Sequence, residues 1–166
     1  MPLIHDTARA FMPYPDVEVP RAGTGPLSGL TFGVKDLFDV AGYPTSGGQP
    51  FLLALSGIKT RHAETVERLL QAGASFAGKT ITDELAFSVN GQNAHFGSPI
   101  NGAAPDRISG GSSSGSAAAV ADYMVPLAFA SQTAASVIRP AAYCGIIGYK
   151  PSYGLVNRSG VKPLSD

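Results

Sequence analysis

The sequence predicts one α/β domain of closely packed layers, and three observations carry that prediction. Strand-like and helix-like patterns alternate along residues 30–79. A run of very small residues, Ser109 to Ala121, leads into the apolar stretch Val125 to Ala130. Charge is sparse: 14% of the 166 residues are charged, beside 20 glycines and 13 prolines, which fits a tight interior rather than disorder. The length suffices for one domain with its own core.

Composition also narrows the function. Twelve basic residues balance 12 acidic ones, so neither nucleic acid nor a membrane surface is an expected partner, because both reward a basic excess. The single cysteine, Cys144, excludes an intrachain disulfide framework. The first residues lack a basic segment followed by an apolar core, and no apolar run approaches a membrane span. The expected location is cytoplasmic.

Residues 1–29 hold Pro13, Pro15, Pro20 and Pro26 and are expected as an extended lead-in, with Phe11, Met12 and Tyr14 pinning it to the body formed by residues 30–166. Leu30 to Val40 alternates as a bent strand, with Lys35 pointing away from Val34. Gly42 to Pro50 is a loop. A helix is expected over Ala63 to Ala72, with Val66, Leu69 and Leu70 on one face and Gly73 as its stop. Ala74 to Lys79 follows as a strand, giving a βαβ unit.

Thr80 to Phe87 is expected to start another helix, with Asp83 and Glu84 facing its positive end. Residues 88–107 form a long irregular loop, the kind that is often functional. Ser114 to Ala121 is a helix small enough to approach a sheet closely. Val125 to Ala130 reads as a strand buried on both faces. Val137 to Tyr143 is a helix that tolerates Pro140 in its first turn, and Ile146 to Tyr149 a final strand.

Three groups could carry chemistry. Ser136 follows the turn Gln132-Thr133-Ala134-Ala135, where backbone N–H groups could hold an oxyanion; its blander role is a helix cap. Ser112, Ser113 and Ser114 lie in a Gly/Ser loop readable as a flexible segment or a phosphate cradle, although no Walker pattern is present. Lys35 stands among apolar residues; desolvation would neutralise it into a general base, whereas a solvated strand-end lysine would be inert. His5, His62 and His95 are scattered, no metal-ligand spacing occurs, and Cys144 reads as a small buried hydrophobe.

In this order, G-V-K-D around Lys35, G-G-S-S-S-G-S-A-A-A-V-A from Gly110 and T-A-A-S-V-I-R-P-A-A-Y-C-G from Thr133 resemble the amidase signature family of serine hydrolases. The resemblance runs from about Gly29 onward and includes D-E-L-A-F-S-V-N-G-Q-N-A-H-F-G-S-P and G-I-I-G-Y-K-P-S-Y-G. Those stretches are most similar to bacterial amidases and plant indole-3-acetamide hydrolases, and V-I-R-P-A-A-Y-C-G also to malonamidase. The T-x-x-S turn is less similar to the glutamyl-tRNA amidotransferase A subunit.

The resemblance implies a mixed, twisted β-sheet flanked by helices, of which this chain holds the N-terminal portion. It implies hydrolysis of a small-molecule carboxylic amide without cofactor or metal. Carried over by motif, Lys35 is the base, Ser112 the serine after a cis peptide bond and Ser136 the nucleophile. The N–H groups of Thr133, Ala134, Ala135 and Ser136 would hold the oxyanion, and Ser113 would support Ser112 by hydrogen bonding. Two departures stand out: Ala134-Ala135 occupy the place of the family's usual Gly-Gly, and Gln132 stands where many members have Asp. Family members are also much longer, so an apolar sheet edge is expected, to be covered by a homodimer partner or by the missing C-terminal half. The alternatives are an inactive amidase-like module that binds or scaffolds, as in chloroplast import receptors, and a phosphate-binding module.

Overall fold

The computed structural model describes residues 5–164. Three parallel strands form its sheet: β1 (Thr31–Lys35), β2 (Ser75–Thr80) and β3 (Leu127–Phe129), in the order β2-β1-β3. Among the described residues, antiparallel pairing is confined to two single bridges, Phe11 with Thr80 and Phe38 with Val161.

β1 is shorter than the alternation suggests. The chain turns at once, with the N–H groups of Leu37 and Phe38 both bonded to the Lys35 carbonyl. Val34 and Lys35 point to opposite faces, yet both are fully buried because helix or loop covers each face. Phe32, Val34, Phe38, Val66, Leu70 and Phe76 make the larger core on one side, and Ala8, Ala10, Ala118, Ala119 and Val125 a smaller one on the other.

Two helices join β1 to β2. The first, α1 (Pro50–Ser56), has no buried residue, and so carries no periodic stripe by which a sequence reading could find it. Proline at its start and Gln49 Oε1 accepting from Leu52 N define its beginning. The second, α2 (Glu64–Gln71), buries Thr65, Val66 and Leu70, and Glu64 meets Arg68 at 2.8 Å on its exposed side. Gly73 then adopts φ +93°, the left-handed stop expected of it.

The lead-in is extended and bound to β2. Met12 N donates to Lys79 O at 2.8 Å, and Ile81 N to Ala10 O at 2.8 Å. Phe11 lies over Gly78, where a Cβ would stand 2.7 Å from its ring.

Past β2 the expected helix is only a three-residue turn of 3-10 helix, Glu84–Ala86, while Thr80 stays in the strand. Asp83 faces no helix end; it is buried and accepts from Gly91 N at 3.1 Å. α3 (Ser114–Ala121) matches its expected span, and Ser114 to Ala119 are buried against the sheet. β3 is only half-buried, because as an edge strand it pairs with β1 alone. α4 runs from Ile138 to Tyr143. Residues 146–149 form no strand: Ile147 and Tyr149 are 95% and 76% exposed, and apolar alternation without a paired neighbour does not make one. Among the described residues no helix is long and apolar enough to cross a membrane.

Candidate active site

The strand order puts β1 at the centre, with β2 on one side and the later β3 on the other. In open parallel sheets such a reversal opens a crevice at the strands' carboxyl ends. Lys35 is the last residue of β1, and Ser131 lies two residues past the end of β3.

Lys35 is completely buried, and its Nζ lies 2.8 Å from Ser112 Oγ and 3.0 Å from Ser131 Oγ. Burial lowers its pKa from 10.5 to about 7, opposed by the charge of Asp83. Nearby Lys79 shows why Lys35 in particular is poised to be neutral. Lys79 is equally buried but meets Asp36 Oδ1 at 2.7 Å, so burial lowers its pKa while Asp36 pulls it back up. The other oxygen of Asp36 accepts from Tyr14 and Ser46. Asp36, although next in the chain, is therefore committed elsewhere, and among the described residues the hydrogen-bond partners of the Lys35 amine are hydroxyls.

Ser112 follows a cis peptide bond from Gly111. Its carbonyl accepts from Asp83 N at 3.1 Å and Thr82 Oγ1 at 3.0 Å. Gly111 packs directly on the Asp83 carboxylate, leaving no room for a Cβ. The loop of residues 109–116 is buried throughout. Its Gly111, Ser113 and Gly115 N–H groups donate to Val89, Ser136 and Ile81 carbonyls. Those three donors face protein rather than solvent, which weighs against a phosphate cradle built on them.

Ser136 sits in the turn just before α4. The cap residue of that helix is Val137, with no side-chain cap bond. Gln132 Oε1 instead accepts from both Val137 N and Ile138 N at 2.9 Å. Gln132 thus serves the helix end, and the cap reading of Ser136 falls away. Pro140 has no N–H to offer Ser136 O, four residues earlier; Ser113 N takes that carbonyl at 3.3 Å. The proline therefore frees the link that ties the Ser136 turn to the Ser112 loop. Among the described residues, Thr133, Ala134, Ala135 and Ser136 donate no backbone hydrogen bond. Neither Ala134 nor Ala135 has positive φ, so the turn forms without the left-handed backbone that alanine resists.

Comparison with known proteins shows the family. Residues 3–166 match the family described as Amidase. The chain belongs to the amidase family. Amidase 1 of Arabidopsis thaliana is 50% identical over 139 residues, which is 84% of this chain and 33% of that protein. Outer envelope protein 64, chloroplastic, of the same plant is 44% identical over 93% of this chain and 26% of its own length. The native peptide amidase of Stenotrophomonas maltophilia superposes with a TM-score of 0.76 at 40% identity, over 84% of this chain and 29% of that one. The chain thus spans about a third or less of the relatives it matches.

Within this amidase fold, Lys35 and Ser112 are in direct contact, and the Ser136 turn is bonded to the same loop. Ser113 Oγ bonds the Ser131 carbonyl at 3.2 Å, so its side chain steadies the end of β3 rather than Ser112 itself. His62 accepts from Ala41 N, and His95 faces Glu84 at 3.6 Å. Cys144 is buried and its thiol is pushed up to about 11 by desolvation, as suits an inert hydrophobe. Sequence reasoning did not single out Ser131 or Lys79 and read Asp83 as a helix-start acid. Only a polar residue just past a strand end could have pointed to Ser131.

Two surface clefts, one beside Pro20, Arg21 and Glu67 and one beside Asp39, Lys59 and Lys162, include none of Lys35, Ser112 or Ser136. Late in the chain, Ile138, Tyr143, Ile147, Tyr149, Tyr153 and Leu155 are 44% to 95% exposed.

Proposed function

We propose that this chain carries the reacting groups of an amidase that hydrolyses a carboxylic amide to an acid and ammonia or an amine. The observation that carries the reading is the buried contact of 2.8 Å between Lys35 Nζ and Ser112 Oγ. Neutral Lys35 takes the Ser112 hydroxyl proton as Ser112 takes that of Ser136. Ser136 Oγ bonds to the amide carbon, and the oxygen that gains charge is held by the free N–H groups of the 133–136 turn. The C–N bond then breaks, with the proton returning along the same path to the leaving nitrogen. Water, deprotonated by that path, releases the acid. The substrate pocket is completed by polypeptide equivalent to the rest of the family fold, of which this chain spans about a third or less.

A second reading, an amidase-like module without activity, is favoured by Ala134-Ala135, whose methyl groups stand where the family usually carries Gly-Gly. A small fluorophosphonate separates the two, because it needs only an activated serine and an oxyanion turn. Intact-mass measurement is expected to show one adduct on the wild-type chain, located at Ser136 by peptide mapping and absent from Ser136→Ala. No adduct, or an adduct that survives Ser136→Ala, rules out the hydrolase.

A further inference from the structure

Ser131 is outside the three residues carried over by motif, yet its hydroxyl is as close a neighbour of the Lys35 amine as hydrogen bonding requires. Lys35 Nζ has two hydroxyl oxygens beside it: Ser112 at 2.8 Å and Ser131 at 3.0 Å. A neutral amine has two N–H bonds and one lone pair. It works as a base toward Ser112 only when that lone pair, rather than an N–H, faces the Ser112 hydroxyl. Something must hold an N–H away from Ser112, and burial excludes water from the task.

We propose that Ser131 is a positioning residue of the proton path: its Oγ accepts one N–H of Lys35 and so aims the amine's lone pair at Ser112 Oγ. This rests on the amide-hydrolase reading above. Ser131 is itself held in place. Ser113 Oγ donates to its carbonyl at 3.2 Å, and two residues earlier Ser116 Oγ donates to the Phe129 carbonyl at 2.9 Å. Ser116 also meets Thr80 Oγ1 at 2.7 Å, at the end of β2. Serines of the loop and of α3 thus stitch the carboxyl end of β3 to the rest of the site, so Ser131 presents its hydroxyl from a fixed backbone.

Among the charged groups near Lys35, Asp83 bears on it from the segment before the 3-10 turn, whereas Asp36 on its own strand end is paired with Lys79. Ser131 therefore supplies direction and Asp83 supplies field. The two contributions separate by mutation.

The test uses Ser131→Ala and Ser131→Thr with two readouts. The first is the rate of fluorophosphonate labelling across pH. The second is the titration midpoint of Lys35, followed by NMR of lysine-labelled protein, which needs no activity. Ser131→Ala is expected to slow labelling about 10- to 100-fold on the plateau above the Lys35 midpoint, the scale of a misoriented base, and to lower that midpoint, because an acceptor for the ammonium form is gone. Ser131→Thr, which keeps a hydroxyl, is expected to restore both. If Ser131→Ala leaves the midpoint in place, the proposal is overturned, whatever the labelling does. Should the wild type resist labelling while Ser131→Ala still moves the midpoint, the hydrolase reading fails and the Ser131 contact stands.

Discussion

A Lys35→Met chain folds, gains thermal stability at acid pH and labels with a fluorophosphonate about 100- to 10,000-fold more slowly than wild type, the range over which a positioned base contributes. The two effects have one cause. Lys35 is fully buried without a carboxylate in contact, and its pKa falls from 10.5 to about 7. At about 1.4 kcal/mol per pKa unit, holding the ammonium in that site costs several kcal/mol. Below pH 7 both folded and unfolded chains carry the proton, so the full penalty applies. Between about 7 and 10.5 the unfolded chain binds more protons, and wild-type stability rises with pH. Above 10.5 neither state is charged and the penalty has gone. Methionine removes it at every pH, so the gain in melting temperature is larger at pH 6 than at pH 9. An equal gain at both, measured by parallel thermal melts, contradicts a depressed Lys35.

Gly115→Ala is expected to unfold the chain or bring it to the edge of unfolding. Gly115 lies in the first turn of α3, where the helix meets both β2 and the lead-in. Its N–H bonds the Ile81 carbonyl at 3.0 Å. A Cβ there would overlap the Ala10 carbonyl and the Ile81 backbone. Neither obstacle is a side chain that can rotate aside, so the helix must lift from the sheet. Overpacking of ordinary cores costs about 1–3 kcal/mol, and a clash with backbone on two sides exceeds that. Lifting α3 would also withdraw Ser112 and Ser113, just before it, from Lys35 and Ser131. The expected result is loss of a cooperative melt, read by circular dichroism. A Gly115→Ala chain melting within a few degrees of wild type contradicts this packing.

How far the residues spoke for themselves differs from element to element. α3 keeps its expected ends because a Gly/Ser loop giving way to alanines changes both backbone freedom and helix propensity at one point. Lys35, Ser112 and Ser136 were readable as a motif, and the fold brings Lys35 and Ser112 into contact and bonds the Ser136 turn to their loop. α1 was not readable, because a helix that buries nothing needs no stripe. The strand expected over residues 146–149 depended on a neighbour that the described residues do not supply. Asp83 looked like a helix-start acid and is a buried carboxylate behind Gly111. Ser131 was invisible for another reason: its partner Lys35 is 96 positions away in the chain. Such a pairing exists only once β1 and β3 lie side by side.

The proton path depends on an amine that is uncharged near neutral pH while its neighbour Lys79 balances Asp36. Lysine side chains labelled with carbon-13 at Cε report this directly by NMR, with the Lys35 signal assigned by its loss in Lys35→Met. Titration from pH 5 to 11 is expected to give Lys35 a midpoint near 7. A midpoint near the ordinary 10.5 would mean a charged lysine bridging two hydroxyls, and the proton path through Ser112 would have no base to receive it.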